Sequence, residues 1–311
     1  MTSVLYDAPG PRAKRRNVLY TAAFLVVLAA LLWWVYSALS DKGQLDWALW
    51  KPFFSGSEAY TTYIWPGLQK TLEAAALAMV IALPLGAVLG IARLSDHAWV
   101  RVIAAVLVEF FRAIPVLVLM IFGLALFAQY TDVSSDDRPF YAVVTGLVLY
   151  NASVLAEIVR AGILSLPKGQ SEAALAIGLR KGQLMRLVLL PQSVTVMLPA
   201  IVSQLVVIVK DTALGGAVLT FPELLASANT MSGSYGNFIA SLTVVAVIYV
   251  LINFSLTSFA HWLEGRLRRG KKSTGAVLGA QDVAHIAGTA ATGADPAGHP
   301  SGIGDINGTK K

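Results

Sequence analysis

The chain has 311 residues, of which 56% are hydrophobic and only 14% are charged. This composition is typical of a membrane protein and excludes an ordinary soluble domain. The net charge of +6 comes from basic residues that cluster beside apolar runs, which favours a membrane protein over a nucleic-acid-binding one. The lack of cysteine excludes disulfides, thiolate nucleophiles and cysteine-based zinc sites, and the four histidines are scattered.

The first element is an apolar run at 18–39 that follows a basic stretch at 1–17. A cleaved signal peptide has the same order, but its apolar part usually has about 7–15 residues. This run is longer, and it carries Trp33, Trp34 and Tyr36 near its far end. We therefore predict an uncleaved signal-anchor helix that crosses the membrane after a cytoplasmic N-terminus.

Five further segments are apolar and long enough to cross a bilayer, which takes about 20 residues per helix. They lie at 67–93, 99–129, 141–164, 192–209 and 238–262. The segment 99–129 is long enough to tilt or to begin at the membrane interface. Polar residues dilute 192–209, and we expect its polar face to point inward. The sequence predicts an all-helical membrane protein with five core spans, one extra N-terminal span and an extracytoplasmic linker at 40–66.

Lysine and arginine are unevenly distributed between the two sides of these spans, which predicts that both termini are cytoplasmic. The inside then holds Arg12, Lys14, Arg15, Arg16, Arg93, Arg101, Lys168, Arg180, Lys181, Arg186, Arg266, Arg268, Arg269, Lys271 and Lys272, and the outside mainly Lys42, Lys51, Arg138 and Lys210. The pair Lys210 and Asp211 falls at the outer end of the segment 192–209. Residues 267–311, rich in Gly, Ala and Thr, are predicted to form a disordered cytoplasmic tail.

A polar loop at 165–191 separates two of the predicted spans. Ser171 can cap a short helix with Glu172 in its first turn, where a negative charge suits the helix dipole. The small residues Ala173 and Ala174 allow a partner surface to approach, and Gly178 permits a sharp turn. A second short helix at 181–190 would lead to Pro191 at the start of the next span. Two short helices joined by a glycine turn form a rigid knob that suits docking, although an ordinary helical hairpin has the same elements.

Two charged pairs lie three residues apart in the apolar spans, Glu109 with Arg112 and Glu157 with Arg160. Such pairs share a helix face, and ionisable groups in a membrane pair, face inward or mark a pathway. We interpret Glu109 and Arg112 as a structural pair. For Glu157 and Arg160 a structural role and a substrate-path role both stay open, because this pair could bind a zwitterion with help from Asn151 and Ser153.

No enzymatic motif accompanies these features. The sequence has no Walker A motif, no Ser-His-Asp set and no metal cluster, so we expect no cofactor and no catalysis by the chain itself. The spacing of Gly86 and Gly90 predicts close packing of two helices.

Five segments together resemble the polar amino acid permeases of ABC importers, the group that takes up histidine, glutamine, glutamate and arginine. They are 67–72 (GLQKTL), 109–115 (EFFRAIP), 156–163 (AEIVRAGI), 167–174 (PKGQSEAA) and 210–214 (KDTAL). The resemblance covers residues 67–266, the expected permease domain. The extra first span and the long tail resemble actinobacterial glutamate permease subunits.

The resemblance implies that the loop 165–191 passes work from a cytoplasmic ATP-binding subunit dimer into the membrane. It implies a role in that coupling for Gly169, Glu172, Ala173, Ala174, Gly178 and Pro191. It also implies an extracytoplasmic amino-acid-binding protein and a second permease subunit, a related one rather than a copy. Glutamate is the expected substrate, with glutamine, aspartate and arginine as alternatives, and the expected location is the prokaryotic plasma membrane.

Two rival functions stay open from sequence alone. A stand-alone secondary transporter or channel would not need the loop between Glu172 and Pro191, and it would often show an internal repeat, which we do not find. A membrane scaffold or sensor that transports nothing could share the same spans, and only an uptake measurement would separate it.

Overall fold

The computed structural model describes residues 10–269. In this range the regular elements are helical, and no strand occurs. The α-helices are α1 (Pro11–Asp41), α2 (Trp47–Trp50), α3 (Trp65–Ala92), α4 (Ala98–Ala113), α5 (Val116–Tyr130), α6 (Arg138–Leu164), α7 (Lys168–Ala176), α8 (Lys181–Leu184), α9 (Leu190–Val218), α10 (Leu224–Tyr235) and α11 (Phe238–Arg269). A 3-10 turn at Lys51–Phe53 follows α2, and π-helical turns at Ala59–Ile64 and Met185–Leu189 lead into α3 and α9.

Within the described residues, five helices are long and apolar enough to cross a membrane, or six if a bent pair counts as one span. The five are Pro11–Asp41, Ala59–Ala92, Arg138–Leu164, Lys181–Val218 and Phe238–Leu263. None of the residues in α1 is buried, which sets this first helix apart from the other four long apolar helices.

The predicted span 99–129 is not one helix. It divides into α4 and α5, whose axes differ by 98°. Ile114 has an extended conformation and Pro115 has no N–H to donate, so the helical hydrogen bonds stop there. The prediction of a continuous span was wrong here, although the proline that causes the bend was visible in the sequence.

Helix α6 lies at the centre of the core. Its buried side chains Val143 and Leu147 form a cluster with Met120 of α5 and Ile208 of α9, and the fully buried residues that α3 contributes are the alanines Ala74, Ala75 and Ala78. Small residues let the α3 backbone lie close to α6, which is how membrane helices pack when lipid offers no hydrophobic driving force.

The closest approach between α3 and α6 is at Gly86 and Gly90, as their spacing predicts. A Cβ atom on Gly86 would lie 2.6 Å from the Leu155 Cβ and 2.8 Å from the Ala152 carbonyl oxygen. One on Gly90 would lie 2.6 Å from the Ala156 carbonyl oxygen. Since backbone atoms cannot move aside, both positions accept glycine alone.

Several predicted boundaries differ from the structure. Helix α1 begins at Pro11, so Arg12 to Arg16 form its first turns. The linker 40–66 is largely helical, and Phe53, Ala59 and Ile64 are buried against α10 and α11. The span predicted at 192–209 extends over Lys181–Val218.

The same extension places Lys210 and Asp211 inside α9 rather than at its end, because the polar residues near them do not interrupt the helix. The predicted tail at 267–311 lies outside the described residues from residue 270 onward.

We expect Gly86→Val to destabilise the protein, because the added side chain meets the α6 backbone. Overpacking of this kind costs about 1–3 kcal/mol. The measurement is the thermal unfolding midpoint of the detergent-purified protein, with Val88→Ile as the control, since Val88 is 65% exposed on the same helix. Equal midpoints for the two variants would contradict the packing described here.

Candidate functional site

The polar loop between α6 and α9 folds as two short helices around a glycine turn. Helix α7 ends at Ala176, and Gly178 follows with a φ of +82°, a left-handed conformation that favours glycine. The turn is closed by hydrogen bonds from the Gly178 N–H to the Leu175 carbonyl and from the Leu179 N–H to the Ala174 carbonyl. Helix α8 then continues through the π-helical turn into α9 without a break.

The start of the first loop helix differs from the prediction. Helix α7 begins at Lys168 after Pro167, which fixes the backbone for a helix start, so Ser171 lies inside the helix and does not cap it. Glu172 is then in the second turn of the helix and not the first. The second predicted helix at 181–190 is α8 with the π-helical turn, and Pro191 stands in the first turn of α9, as expected.

One side of this loop is attached to the membrane helices. Ala174 and Leu184 are buried in a cluster with Val159 and Ile163 of α6 and Met197 of α9. Lys181 also forms an ion pair with Asp96, in the connection between α3 and α4. Buried apolar side chains and one ionic contact therefore hold the loop to α6, to α9 and to the connection between α3 and α4.

The opposite side of the loop is exposed. Gly169, Glu172, Ala173, Gly178 and Pro191 are all on the surface, so of the six predicted coupling residues only Ala174 is buried. Two large apolar side chains stand beside them, Leu175 at 53% and Ile177 at 79% exposure. Sequence reasoning missed these two. Exposed apolar groups next to a rigid turn are typical of a surface that binds a partner.

Next to the loop, five charged side chains from three helices form a connected network. Arg93, at the end of α3, donates to Glu157 at 2.6 Å and to Glu109 at 3.1 Å. Arg160 donates to one oxygen of Glu157 through Nε at 3.1 Å and Nη2 at 2.8 Å. Glu157 therefore accepts from guanidinium groups of two helices.

Arg112 is the loosest member of this network. It lies 3.6 Å from Glu109 and 3.9 Å from Glu157, beyond hydrogen-bonding distance, and stands near the end of α4 just before the bend. The predicted structural pairing of Glu109 with Arg112 is present as an ion pair. Three guanidinium groups face two carboxylates, so the network carries one excess positive charge.

Asn151 and Ser153 lie elsewhere on α6. The Asn151 side-chain amide donates to the Leu147 carbonyl at 2.8 Å, and its oxygen accepts from Gln204 of α9 at 2.5 Å. The Ser153 hydroxyl donates to the Tyr150 carbonyl at 2.6 Å. Both side chains are fully buried within the subunit. The structure thus brings Glu157 and Arg160 together but places Asn151 and Ser153 in a separate contact between helices.

Sequence reasoning missed Glu223, an acidic residue that is fully buried. Glu223 caps α10, where its carboxylate accepts from the N–H groups of Leu225 and Ala226 and from the Tyr249 hydroxyl of α11 at 2.5 Å. Burial raises the pKa of the Glu223 carboxyl, partly offset by these hydrogen bonds. The side chain holds the start of α10 to α11. An acidic residue just before a helical segment was the only signal available in the sequence.

Among residues 10–269, no group of three or more His, Asp or Glu side chains is placed to hold a metal ion. The chain is a membrane subunit whose rigid surface loop is packed on α6 and α9. This is the class of the permease subunit, the membrane-embedded part of an ABC importer.

Comparison with known proteins gives the family. The sequence profile of the binding-protein-dependent transport system inner membrane component matches residues 82–269. The chain belongs to this family. Within it, the predicted membership of the ABC permeases for polar amino acids is confirmed, as is the all-helical membrane fold.

Three similar proteins illustrate the relation. The glutamate transport system permease protein GluD of Corynebacterium glutamicum is 48% identical over 233 residues, which cover 75% of this chain and 85% of that protein. The glutamate/glutamine/aspartate/asparagine transport system permease protein BztC of Rhodobacter capsulatus is 30% identical over 269 residues, 86% of this chain and 60% of that protein.

The third is a solved structure, an amino acid ABC transporter crystallised with histidines. It superposes with a TM-score of 0.61 at 26% identity, covering 67% of this chain and 95% of the other. The chain is thus a multi-pass plasma-membrane subunit that translocates and does not itself hydrolyse ATP.

Proposed function

We propose that this permease subunit carries glutamate into the cell. The observation that supports the substrate most directly is the 48% identity with a glutamate permease along three quarters of the chain. The alternative is the same machinery with another polar amino acid, namely glutamine, aspartate or arginine. BztC is named for glutamate, glutamine, aspartate and asparagine together, so a wider range within this chemical class is the runner-up.

Import by this family needs an ATPase and a substrate-binding protein, and we propose a second permease subunit as well. Lys210 supports it, because this ionisable residue is exposed on α9, with Asp211 of the same helix beside it. A charge facing lipid is costly, so that face needs another subunit or a water-filled path. We propose a related subunit rather than a second copy, which co-purification and mass spectrometry would test.

We expect glutamate to stimulate ATP hydrolysis by the reconstituted importer. The measurement uses the permease subunits, the ATPase and the binding protein in liposomes, with each of the twenty amino acids in turn. Stimulation by glutamate above all others supports the proposal, and stimulation by arginine or glutamine alone would reject it. Uptake without the ATPase would instead indicate a stand-alone transporter, and uptake of no amino acid would indicate a scaffold or sensor.

We propose that residues 165–191 dock the ATPase through Gly169, Glu172, Ala173, Ala174, Gly178 and Pro191, with Leu175 and Ile177 as apolar contacts. Gly178→Val should lower uptake, because a left-handed conformation costs an ordinary residue about 1–2 kcal/mol. Such an energy changes an equilibrium by roughly 5- to 30-fold. Gly178→Asn is the matched control, since Asn adopts that conformation more readily. Equal uptake by the two variants at equal expression would reject the docking role.

Two roles are proposed for Glu157 and Arg160, a structural clamp and a contact on the substrate path with Asn151 and Ser153. Arg160→Lys tests both roles, because lysine cannot reproduce the two-atom contact of Arg160 with Glu157 and cannot form a bidentate contact with a substrate carboxylate. The set of substrates that is affected then separates the two roles. If the pair is a clamp, we expect the variant to lose ATPase stimulation equally with glutamate, aspartate and glutamine. A loss confined to the acidic substrates would favour the path.

We propose that both termini are cytoplasmic, with the segment 132–138 outside. The chain has no cysteine, so a single introduced thiol reports its side of the membrane without background. Ser135→Cys should react with a membrane-impermeant maleimide added to intact cells, whereas Gln170→Cys should react only after the cells are opened. The reverse pattern would overturn the orientation and the cytoplasmic placement of the coupling loop.

A further inference from the structure

A cleft lies between the segment that follows α1 and the end of α10. It has a volume of about 280 Å³ and is lined by Lys51, Ser55, Glu58 and Tyr235, together with Ala48, Pro52 and Gly56. Tyr235 is the last residue of α10, whereas the other lining residues belong to the segment that precedes the permease core. The cleft therefore exists only because this chain has the extra first span and its connection.

The walls of the cleft are fixed by contacts with the core. Phe53 and Ala59 are buried in a cluster with Leu224, Ala228 and Met231 of α10 and Ala240 of α11. The Asn237 side chain donates to the Leu49 carbonyl at 2.8 Å, and the Tyr63 and Ser234 hydroxyls lie 3.1 Å apart. Because these contacts already hold the segment in place, binding to the cleft would not have to order it.

Lipid cannot cover this surface well. Ser55, Gly56 and Ser57 form an exposed, irregular stretch of chain, and irregular loops do not occur against hydrocarbon. Lys51 and Glu58 are exposed, and neither has an ion-pair partner among the described residues. The cleft thus presents one free cation and one free anion to water.

We propose that this cleft is a docking point for the extracytoplasmic substrate-binding protein, which places an acidic group on Lys51 and a basic group on Glu58. The proposal rests on the proposed import function and orientation, which put the cleft on the outer side. A binding protein must bind and leave in every cycle, and polar, charged contacts suit such a transient complex. An anionic lipid headgroup would satisfy Lys51 but would leave Glu58 unpaired.

The test measures ATP hydrolysis by the complete reconstituted importer at increasing concentrations of the substrate-loaded binding protein. We expect Lys51→Glu and Glu58→Lys each to raise the half-saturating concentration about tenfold, without changing the rate at saturation, and this effect should weaken in high salt. Lys42→Glu is the matched control, since Lys42 is exposed in the same segment but outside the cleft. Unchanged half-saturation in both cleft variants would overturn the proposal.

A second measurement does not depend on charge reversal. Ser55→Cys should react with an impermeant maleimide from outside, and the binding protein should slow that reaction at least about tenfold. If the binding protein does not slow the maleimide reaction while the same importer still takes up glutamate, the docking point is overturned but the proposed function stays intact. Reaction only from inside overturns the orientation and the docking point together. Protection by phosphatidylglycerol vesicles without the binding protein would show that a lipid headgroup occupies the cleft, which also overturns it.

Discussion

The contacts among the ends of α3, α4 and α6 depend on the carboxylate of Glu157. It accepts hydrogen bonds from Arg93 at the end of α3 and from Arg160 on its own helix, and it attracts Arg112 near the end of α4. Arg93 is 12% and Glu157 27% exposed, so their contact is the one best shielded from water in the network. One acidic side chain thereby links three helices.

As the proposed structural clamp, Glu157 would let the loop transmit a displacement. The loop helices are anchored by Ala174 and Leu184 to Val159 and Ile163, on the same stretch of α6 that carries Glu157. In that role, a push on α7 would move the end of α6 and, through Glu157, would pull on α3 and α4. The loop is also joined to α9 directly, through the π-helical turn at Met185–Leu189 that follows α8. Such turns are frequent at functional sites.

The sequence predicted the apolar spans well because hydrophobicity and length decide them locally. It also predicted the left-handed turn at Gly178 and the close packing at Gly86, because in both places the lack of a side chain on glycine explains the structure. It failed where a single residue overrides an apolar run, as Pro115 does between α4 and α5. The role of Arg93 could not be found either, because its partners Glu109 and Glu157 are 16 and 64 residues away along the chain.

The linker at 40–66 shows a different limit. Its composition resembles a loop, and nothing local indicates that Phe53 and Ala59 are buried against helices that come about 170 residues later. Conversely, the short polar residues of α9 suggested a weak span, yet the Gln204 side chain meets Asn151 in the middle of the protein. A polar residue in a membrane helix is a signal of contact, but the sequence alone does not name the contact.

That central contact contributes little energy by itself. Hydrogen bonds between membrane helices average about 0.6 kcal/mol, because the separated helices also find partners. The association of α6 with α9 must therefore rest on packing around Ile208 and Met197. The ionic contacts of α6 join it to α3 and α4 through Glu157, whereas its hydrogen bond with α9 at Asn151 is neutral and weak. Alternating access to a membrane pathway requires helices that tilt, and α9 can tilt against α6 at this contact without breaking a charge pair.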